Sequence, residues 1–270
     1  MMQLQMYQVA AFTEVQFGGN PAAVVPLGAW IDDSLMQKIA AENNLSETAF
    51  LVPLSAGEWQ IRWFTSAVEV PLCGHATLAS AAVIRERLDH GQWPIKLHSA
   101  SGPLAVDSDG ESYILDFPAN EPAPTALPEG FEAALGQAVL ESYIGQNIYM
   151  VVLADEAAVA SLQPDFAALA ERTEHGVIAT AAGDSVDFVS RFFAPAIGIN
   201  EDPVTGAAHC MLTPYWSRRL GKKILDARQI SSRVGVLECE DRGDRVSLRG
   251  RAVFFMSGQI TLTESQPGHS

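Results

Sequence analysis

The chain repeats itself. Arg62-Trp63-Phe64-Thr65-Ser66-Ala67-Val68 is matched by Arg191-Phe192-Phe193-Ala194-Pro195-Ala196-Ile197. Each segment is followed shortly by a glycine that opens a helix-like run, in Cys73-Gly74-His75-Ala76 and in Thr205-Gly206-Ala207-Ala208. Each run leads to a hairpin pattern with a glycine near its start, Gly102 and Gly235. Three matches in the same order, in halves of similar length, point to an internal duplication. The expectation is two similar lobes facing each other across a cleft, with both helix N-termini lining it.

Strand-like and helix-like segments are interleaved. Strands are read at 7–12 and 22–26, joined by the turn Gly18-Gly19-Asn20-Pro21, and at 48–52 and 60–64. Asp32-Asp33 would cap a helix running to about Asn43. An alanine-rich helix over 76–88, with Gly91 just past its end, is apolar on nearly all sides and so should be buried. A hairpin follows over 95–106 and 113–117. Pro118, Pro122, Pro124 and Pro128 mark a linker. Beyond it come a strand at 149–153, a helix at 166–172, strands at 177–180 and 188–193, and a helix at 207–220 with Gly221 at its end. Pro214 should kink or shorten that helix. A second hairpin over 233–239 and 246–249 and closing strands over 253–262 complete the order. The lobes are therefore expected at 1–118 and 129–255. Residues 256–270 would be a closing strand and tail returning to the N-terminal lobe.

Asp plus Glu number 32 against 17 Lys plus Arg, a formal charge of −15. Such a chain repels nucleic acid and anionic membranes, and an acidic ligand would need a local positive site. A helix N-terminus provides one: unpaired N–H groups, about half a positive charge, and glycine to admit a ligand to the backbone. Two facing tips at Gly74 and Gly206 would hold a carboxylate and stabilise enolate-like charge; the plain alternative is two turn glycines. Cys73, Cys210 and Cys239 make no disulfide framework, and neither a secretory signal nor a membrane-length apolar stretch is visible. A soluble cytoplasmic protein is expected. No zinc-type spacing and no phosphate- or dinucleotide-binding glycine pattern occurs, so no metal or cofactor is expected.

Three side chains stand out. Glu47 precedes the apolar strand Thr48-Ala49-Phe50-Leu51-Val52. Partial desolvation there would raise its pKa and suit a base that returns its proton as an acid; a solvated loop glutamate or a cap is the alternative. His75 lies in a first helical turn, where the dipole disfavours a charged ring. A neutral imidazole there would bond a substrate or be satisfied by the protein. Asp202, before Pro203, is a helix cap or an acid facing Glu47 and His75 across the cleft. Arg62 and Arg191 read as strand-end surface charges without an assigned role. Cys73 reads as a small buried hydrophobe.

Gly18-Gly19-Asn20-Pro21-Ala22-Ala23-Val24, Asn44-Leu45-Ser46-Glu47-Thr48-Ala49-Phe50, Cys73-Gly74-His75-Ala76-Thr77 and Asn200-Glu201-Asp202-Pro203-Val204-Thr205-Gly206-Ala207-Ala208-His209 resemble the four blocks of the PhzF-like family of phenazine-biosynthesis isomerases. The resemblance runs to about Leu262. It implies the diaminopimelate-epimerase fold, α+β, with two pseudo-symmetric lobes that each wrap a curved, mostly antiparallel sheet around a central helix. It also implies a cofactor-independent isomerase that moves a proton on a small carboxylated metabolite, and a homodimer. Glu47 would be the acid/base, with His75 and Asp202 binding substrate and joining the proton-transfer network. The backbone of Gly74, Gly206 and Ala207 would bind the carboxylate. Ala207 departs from the family, where serine often stands. In the related two-base racemases a cysteine precedes the glycine of each half. Here Cys73 is answered by Thr205, whose hydroxyl is too weak an acid. That favours a proton shift served from one face. The rivals are an amino-acid racemase or epimerase of the same fold, and a binding protein that has lost catalysis.

Overall fold

Two helices buried along most of their length organise the chain. The computed structural model describes residues 1–88 and 93–263. The expected helix stop at Gly91 and the tail 264–270 lie outside these. The first half comprises β1 (Met2–Ala11), β2 (Asn20–Pro26), α1 (Asp33–Asn43), β3 (Glu47–Ser55), β4 (Glu58–Phe64), β5 (Glu69–Val70), α2 (Gly74–Arg87), β6 (Ile95–Ser99), β7 (Gly102–Ser108) and β8 (Tyr113–Pro118). Then follow β9 (Ala123–Pro124), α3 (Phe131–Leu135), β10 (Glu141–Gly145), β11 (Ile148–Val152), α4 (Glu156–Ala160), α5 (Phe166–Ala170), β12 (Val177–Ala182), β13 (Phe188–Ala194), β14 (Ile199–Asp202), α6 (Gly206–Leu220), β15 (Ile224–Gln229), β16 (Gly235–Asp241), β17 (Arg245–Gly250) and β18 (Ala252–Leu262).

The halves share one pattern of pairing. β2 runs parallel to β3, as β11 does to β12. β4 runs parallel to β6 beside α2, as β13 does to β15 beside α6. Arg62 and Arg191, left without a role by sequence, hold equivalent places. Arg62 forks onto Glu69 at 2.6 and 2.7 Å and fixes β5 to β4. Arg191 forks onto Glu201 at 2.7 and 2.9 Å and fixes β14 to β13. Two-point guanidinium–carboxylate contacts set orientation as well as distance, so β14, which ends in Asp202, is held firmly.

β8 and β17 join the halves as an antiparallel pair in which Leu115 faces Leu248. These residues are equivalent, because Leu115 faces Val106 and Leu248 faces Cys239 at matching places in their hairpins. The pseudo-two-fold axis therefore runs through this pair. Each half also sends its last strand across the axis: β9 pairs with β10, and β18 pairs with β1 from Met2 opposite Leu262 to Ala11 opposite Ala252. The proline-rich stretch read as a linker thus carries β9. Its prolines suit a two-residue edge strand, where a missing N–H is tolerated.

Every residue of α2 from His75 to Ile84 is buried, as is every residue of α6 from Ala208 to Ser217. Both helices share one core with Val9, Leu51, Trp63, Leu97, Leu115, Phe188 and Leu248. The other helices cover outer sheet faces. α1, capped by Asp32 onto the Ser34 N–H, packs Met36 and Ile39 near Phe50 and Phe64. α3 to α5 cover Val151, Ala179 and Phe193. Pro214 does not end α6. A proline leaves the carbonyl four residues earlier without its helical donor, and here Asn120 N donates to the Cys210 carbonyl at 3.0 Å instead.

His209 is fully buried in α6. Its Nδ1 donates to the Thr205 carbonyl at 2.8 Å, while Nε2 has no hydrogen-bond partner among the described residues. Burial pushes its pKa down to about 4, against a smaller upward pull from the Thr205 bond. Between pH 6.5 and about 4 the unfolded chain therefore takes up a proton that the folded chain refuses, so stability falls as pH falls. The loss should approach about 3 kcal/mol. Urea denaturation from pH 7 to pH 4 checks it: His209→Gln should lose this part of the slope, and an unchanged slope would refute the assignment.

Candidate active site

Glu47 is placed by the turn after α1, where Asn44 takes the left-handed conformation at φ 48° and sends the chain into β3. His75 sits in the first turn of α2, and its Nε2 lies 3.0 Å from Glu47 Oε2. The approach is off the N–H axis: Glu47 Oε2 is buried and accepts no hydrogen bond among the described residues. The contact is thus a close charge pairing rather than a linear hydrogen bond. Cys73 Sγ lies 3.5 Å from His75 Nδ1.

Asp202 reaches this group through Asn20, a residue that the sequence reading placed in a turn and in the first of the four blocks but gave no role. Asn20 Nδ2 donates to Asp202 Oδ1 at 2.7 Å and to the Val204 carbonyl at 2.9 Å, and lies 3.2 Å from His75 Nδ1. Ser46 Oγ donates to Asn20 Oδ1 at 3.2 Å. Asn20 is fully buried, and it ties β2 of one half to the β14–α6 turn of the other. The available signal was a polar side chain at the mouth of the apolar run Ala22-Ala23-Val24-Val25.

Asp202 does not cap α6. Its Oδ2 accepts from the Thr205 hydroxyl at 2.6 Å, and Thr205, the N-cap residue, makes no side-chain cap. Gln229 instead accepts from Thr205 N at 2.8 Å and donates to the Asp202 carbonyl at 2.7 Å. Cys73, the N-cap of α2, likewise makes no side-chain cap. Both tips therefore keep first-turn N–H groups that no capping side chain covers.

Charges shape the group. Burial alone would depress the His75 pKa, but the Cys73 sulfur and the Glu47 carboxylate outweigh it and hold the ring well above its ordinary 6.5. The neutral imidazole expected from the helix dipole is thus overridden by an anion at contact distance. Burial, aided by Glu47, raises the Cys73 thiol to about 11 against the pull of His75. Burial likewise lifts the Asp202 carboxyl to about 6, although His75, Thr205 and Asn20 pull it down.

The helix tips abut. A Cβ built on Gly74 would lie 3.5 Å from Gly206 Cα, and the reverse distance is the same. Gly74, Gly206 and the exposed Ala207 line a cavity of about 230 Å³ together with Leu72, Phe117, Asn120, Gln146 and Ile148. Glu47, His75 and Asp202 do not line it. The structure thus gathers the three charged candidates in one cluster and the three backbone candidates on an adjoining cavity, with Gly74–His75 as the link.

The duplication relates the two flanks. Thr48 faces Phe64 and Val177 faces Phe193, so Glu47 falls on Gly176. Ala23 faces Thr48 and Tyr149 faces Val177, so Asn20 falls on Gln146. With Gly74 on Gly206, His75 falls on Ala207. One flank carries carboxylate, imidazole and bridging amide; its image carries glycine, alanine and glutamine and is open.

Residues 9–258 match the family model described as phenazine biosynthesis-like protein, PhzC-PhzF. The chain belongs to the PhzF family. Two relatives are uncharacterized isomerases of Pseudomonas aeruginosa, 50% and 51% identical, each match covering 97% of this chain and all of the relative. A crystal structure of a PhzF-family phenazine biosynthesis protein from Enterococcus faecalis is 47% identical, with a TM-score of 0.94 over 97% of this chain and all of that one. The protein is accordingly a PhzF-like isomerase with the α+β, epimerase-like fold of two pseudo-symmetric lobes. No helix among the described residues is long and apolar enough to cross a membrane.

Removing the Asn20 amide leaves Asp202 Oδ1 and the Val204 carbonyl short of a donor. Asn20→Ala should cost about 2 kcal/mol of folding stability. Urea unfolding at pH 7 reads this, and a variant as stable as the parent would show that the bridge does not hold the halves.

Proposed function

We propose that this PhzF-like isomerase shifts a proton within a small, unsaturated or cyclic carboxylic acid without a cofactor. Glu47 removes the proton and returns it. The observation that carries this reading is the buried Glu47 oxygen without a hydrogen bond, 3.0 Å from the His75 ring. A carboxylate in this state has a free lone pair for a substrate C–H and a cationic neighbour to steady it. His75 and Asp202, coupled through Asn20, orient the substrate. The amide edge at Gly74 and at Gly206–Ala207 binds its carboxylate and spreads the enolate-like charge.

The glycines support this role. A methyl group at Gly74 or Gly206 would meet only ordinary contacts at 3.5 Å or more, so protein packing does not demand glycine at either tip. Approach of a ligand to the backbone does. Glu47 lies beyond the cavity wall, and Gly74–His75 links it to the tips. The Thr205 hydroxyl, which stands where a second thiol would be, speaks against two-base racemisation: it is committed to Asp202 at 2.6 Å. The same family reading suggests a homodimer, and the cysteine usage and lack of a visible signal in the sequence suggest a cytoplasmic location.

A screen of cyclic and unsaturated carboxylic acids in deuterium oxide tests the proposal. The parent should place deuterium on one carbon of its substrate, and Glu47→Gln should slow this by about a hundred- to ten-thousand-fold. Equal ligand binding with no exchange by either protein would leave a binding protein. Gly206→Ala should unfold at the parent's urea concentration but raise the KM of the exchanging acid; an unchanged KM would remove the tips from the substrate site.

A further inference from the structure

A buried amide without a partner faces the cavity at the helix tips. Asn120 follows β8, in the stretch Pro118-Ala119-Asn120-Glu121-Pro122 that the sequence marks as a linker. It is only 8% exposed. Its main-chain N–H is committed to the Cys210 carbonyl at 3.0 Å, the bond that replaces the one Pro214 removes. Its side-chain amide makes no hydrogen bond among the described residues, and it lines the cavity. Amides so deeply buried ordinarily have partners, and leaving one unpaired is costly.

Gly145 keeps the amide in place. A Cβ at Gly145 would come within 2.6 Å of Asn120 Oδ1 and 3.1 Å of Nδ2, so the glycine leaves the space that the amide fills. Gly145 pairs with Ile148 across the turn Gln146-Asn147, whose residues take φ 47° and 63°. A two-residue turn of this kind fixes the strand ends it joins. Asn120 is thus positioned from both sides, by its main-chain bond to α6 and by a close glycine at the end of β10.

The other lining residues indicate what the amide meets. Gly74, Gly206 and Ala207 offer backbone N–H groups, and Leu72, Phe117 and Ile148 offer apolar walls. Gln146 also lines the cavity but is exposed, so water satisfies its amide. No charged side chain lines the cavity among the described residues, and burial keeps the Cys210 thiol neutral by pushing its pKa up to about 12. A second carboxylate or an ammonium group would lose water here and find no opposite charge. A hydroxyl differs: it donates one hydrogen bond and accepts others, and a free carboxamide offers both an acceptor oxygen and a donor nitrogen.

We propose that Asn120 is a specificity-determining residue that binds an uncharged hydroxyl group carried by the substrate away from its carboxylate. This rests on the reading of the helix tips as the carboxylate site. The substrate is then a hydroxylated monocarboxylic acid, with its carboxylate on the tips, its apolar body against Leu72, Phe117 and Ile148, and its hydroxyl on the Asn120 amide. An acid that lacks the hydroxyl leaves the amide desolvated and unpaired, which is how a buried polar group rejects the wrong ligand.

Benzoate, the three hydroxybenzoates and isophthalate test this by calorimetric titration of the full chain. In the parent one hydroxybenzoate should bind about tenfold more tightly than benzoate, and isophthalate no more tightly than benzoate. Asn120→Leu retains the main-chain N–H that serves Cys210 and should bind that hydroxybenzoate and benzoate alike. Gly145→Ala, which pushes the amide aside without removing it, should narrow the gap several-fold and carries the test should Asn120→Leu not fold. Gly206→Ala reads the underlying assignment and should weaken both acids equally. Equal binding of benzoate and all three hydroxybenzoates by the parent, tightest binding of isophthalate, or a gap that persists in Asn120→Leu overturns the role of Asn120, while weaker benzoate binding in Gly206→Ala keeps the tips as the carboxylate site. Where Asn120→Leu does not fold, a gap that persists in Gly145→Ala overturns it likewise. Benzoate binding that Gly206→Ala leaves unchanged, or no binding of any of these acids, removes the reading of the tips and the proposal with it.

Discussion

The antiparallel pairing of β8 with β17, Leu115 opposite Leu248, is the contact from which the rest of the molecule takes its geometry. A duplicated chain has many ways to place its halves. Pairing two equivalent strands at equivalent residues selects one of them, a near two-fold axis. Once that axis is set, α2 and α6 meet tip to tip at Gly74 and Gly206. The forked pairs Arg62–Glu69 and Arg191–Glu201 then hold equivalent short strands on either side. The frame is stiff because both central helices are buried along most of their length and share one core.

Symmetry of the frame contrasts with asymmetry of the chemistry. Glu47, His75 and Asn20 stand where their images are Gly176, Ala207 and Gln146. Large polar groups on one flank pack against each other and leave little space. On the other, glycine and alanine replace the carboxylate and the imidazole, and Ala207 and Gln146 line a cavity of about 230 Å³. One copy carries the carboxylate and the imidazole while the other gives room, and the helix tips lie between. A single carboxylate supplied from one side is the natural outcome of such a division.

Much of this architecture was legible in the residues. The Arg-aromatic segments, the two helix-opening glycines and the hairpin glycines reported the duplication, and the apolar girth of α2 reported its burial. What stayed hidden depends on partners far apart in the chain. Asn20 meets Asp202 across 182 positions, and the local signal, a polar side chain at the mouth of an apolar run, does not name that partner. The charge of His75 was misjudged because a helix dipole is visible in sequence, whereas a carboxylate arriving from another strand is not. β9 was masked by prolines that ordinarily mark linkers, and Arg62 and Arg191 could be paired only once β5 and β14 were placed.

The exchange of end strands has a consequence for how such a chain can be made. β1 is synthesised well before its partner β18, and Met2 is set opposite Leu262 only once both are present. Neither copy of the duplicated unit carries all of its own sheet, so the first cannot mature while the second is still being translated. Long-range pairing of this kind slows folding, since chain closure must precede the contacts that reward it. The repeat that looks like two independent modules is, kinetically, one indivisible knot of dependence.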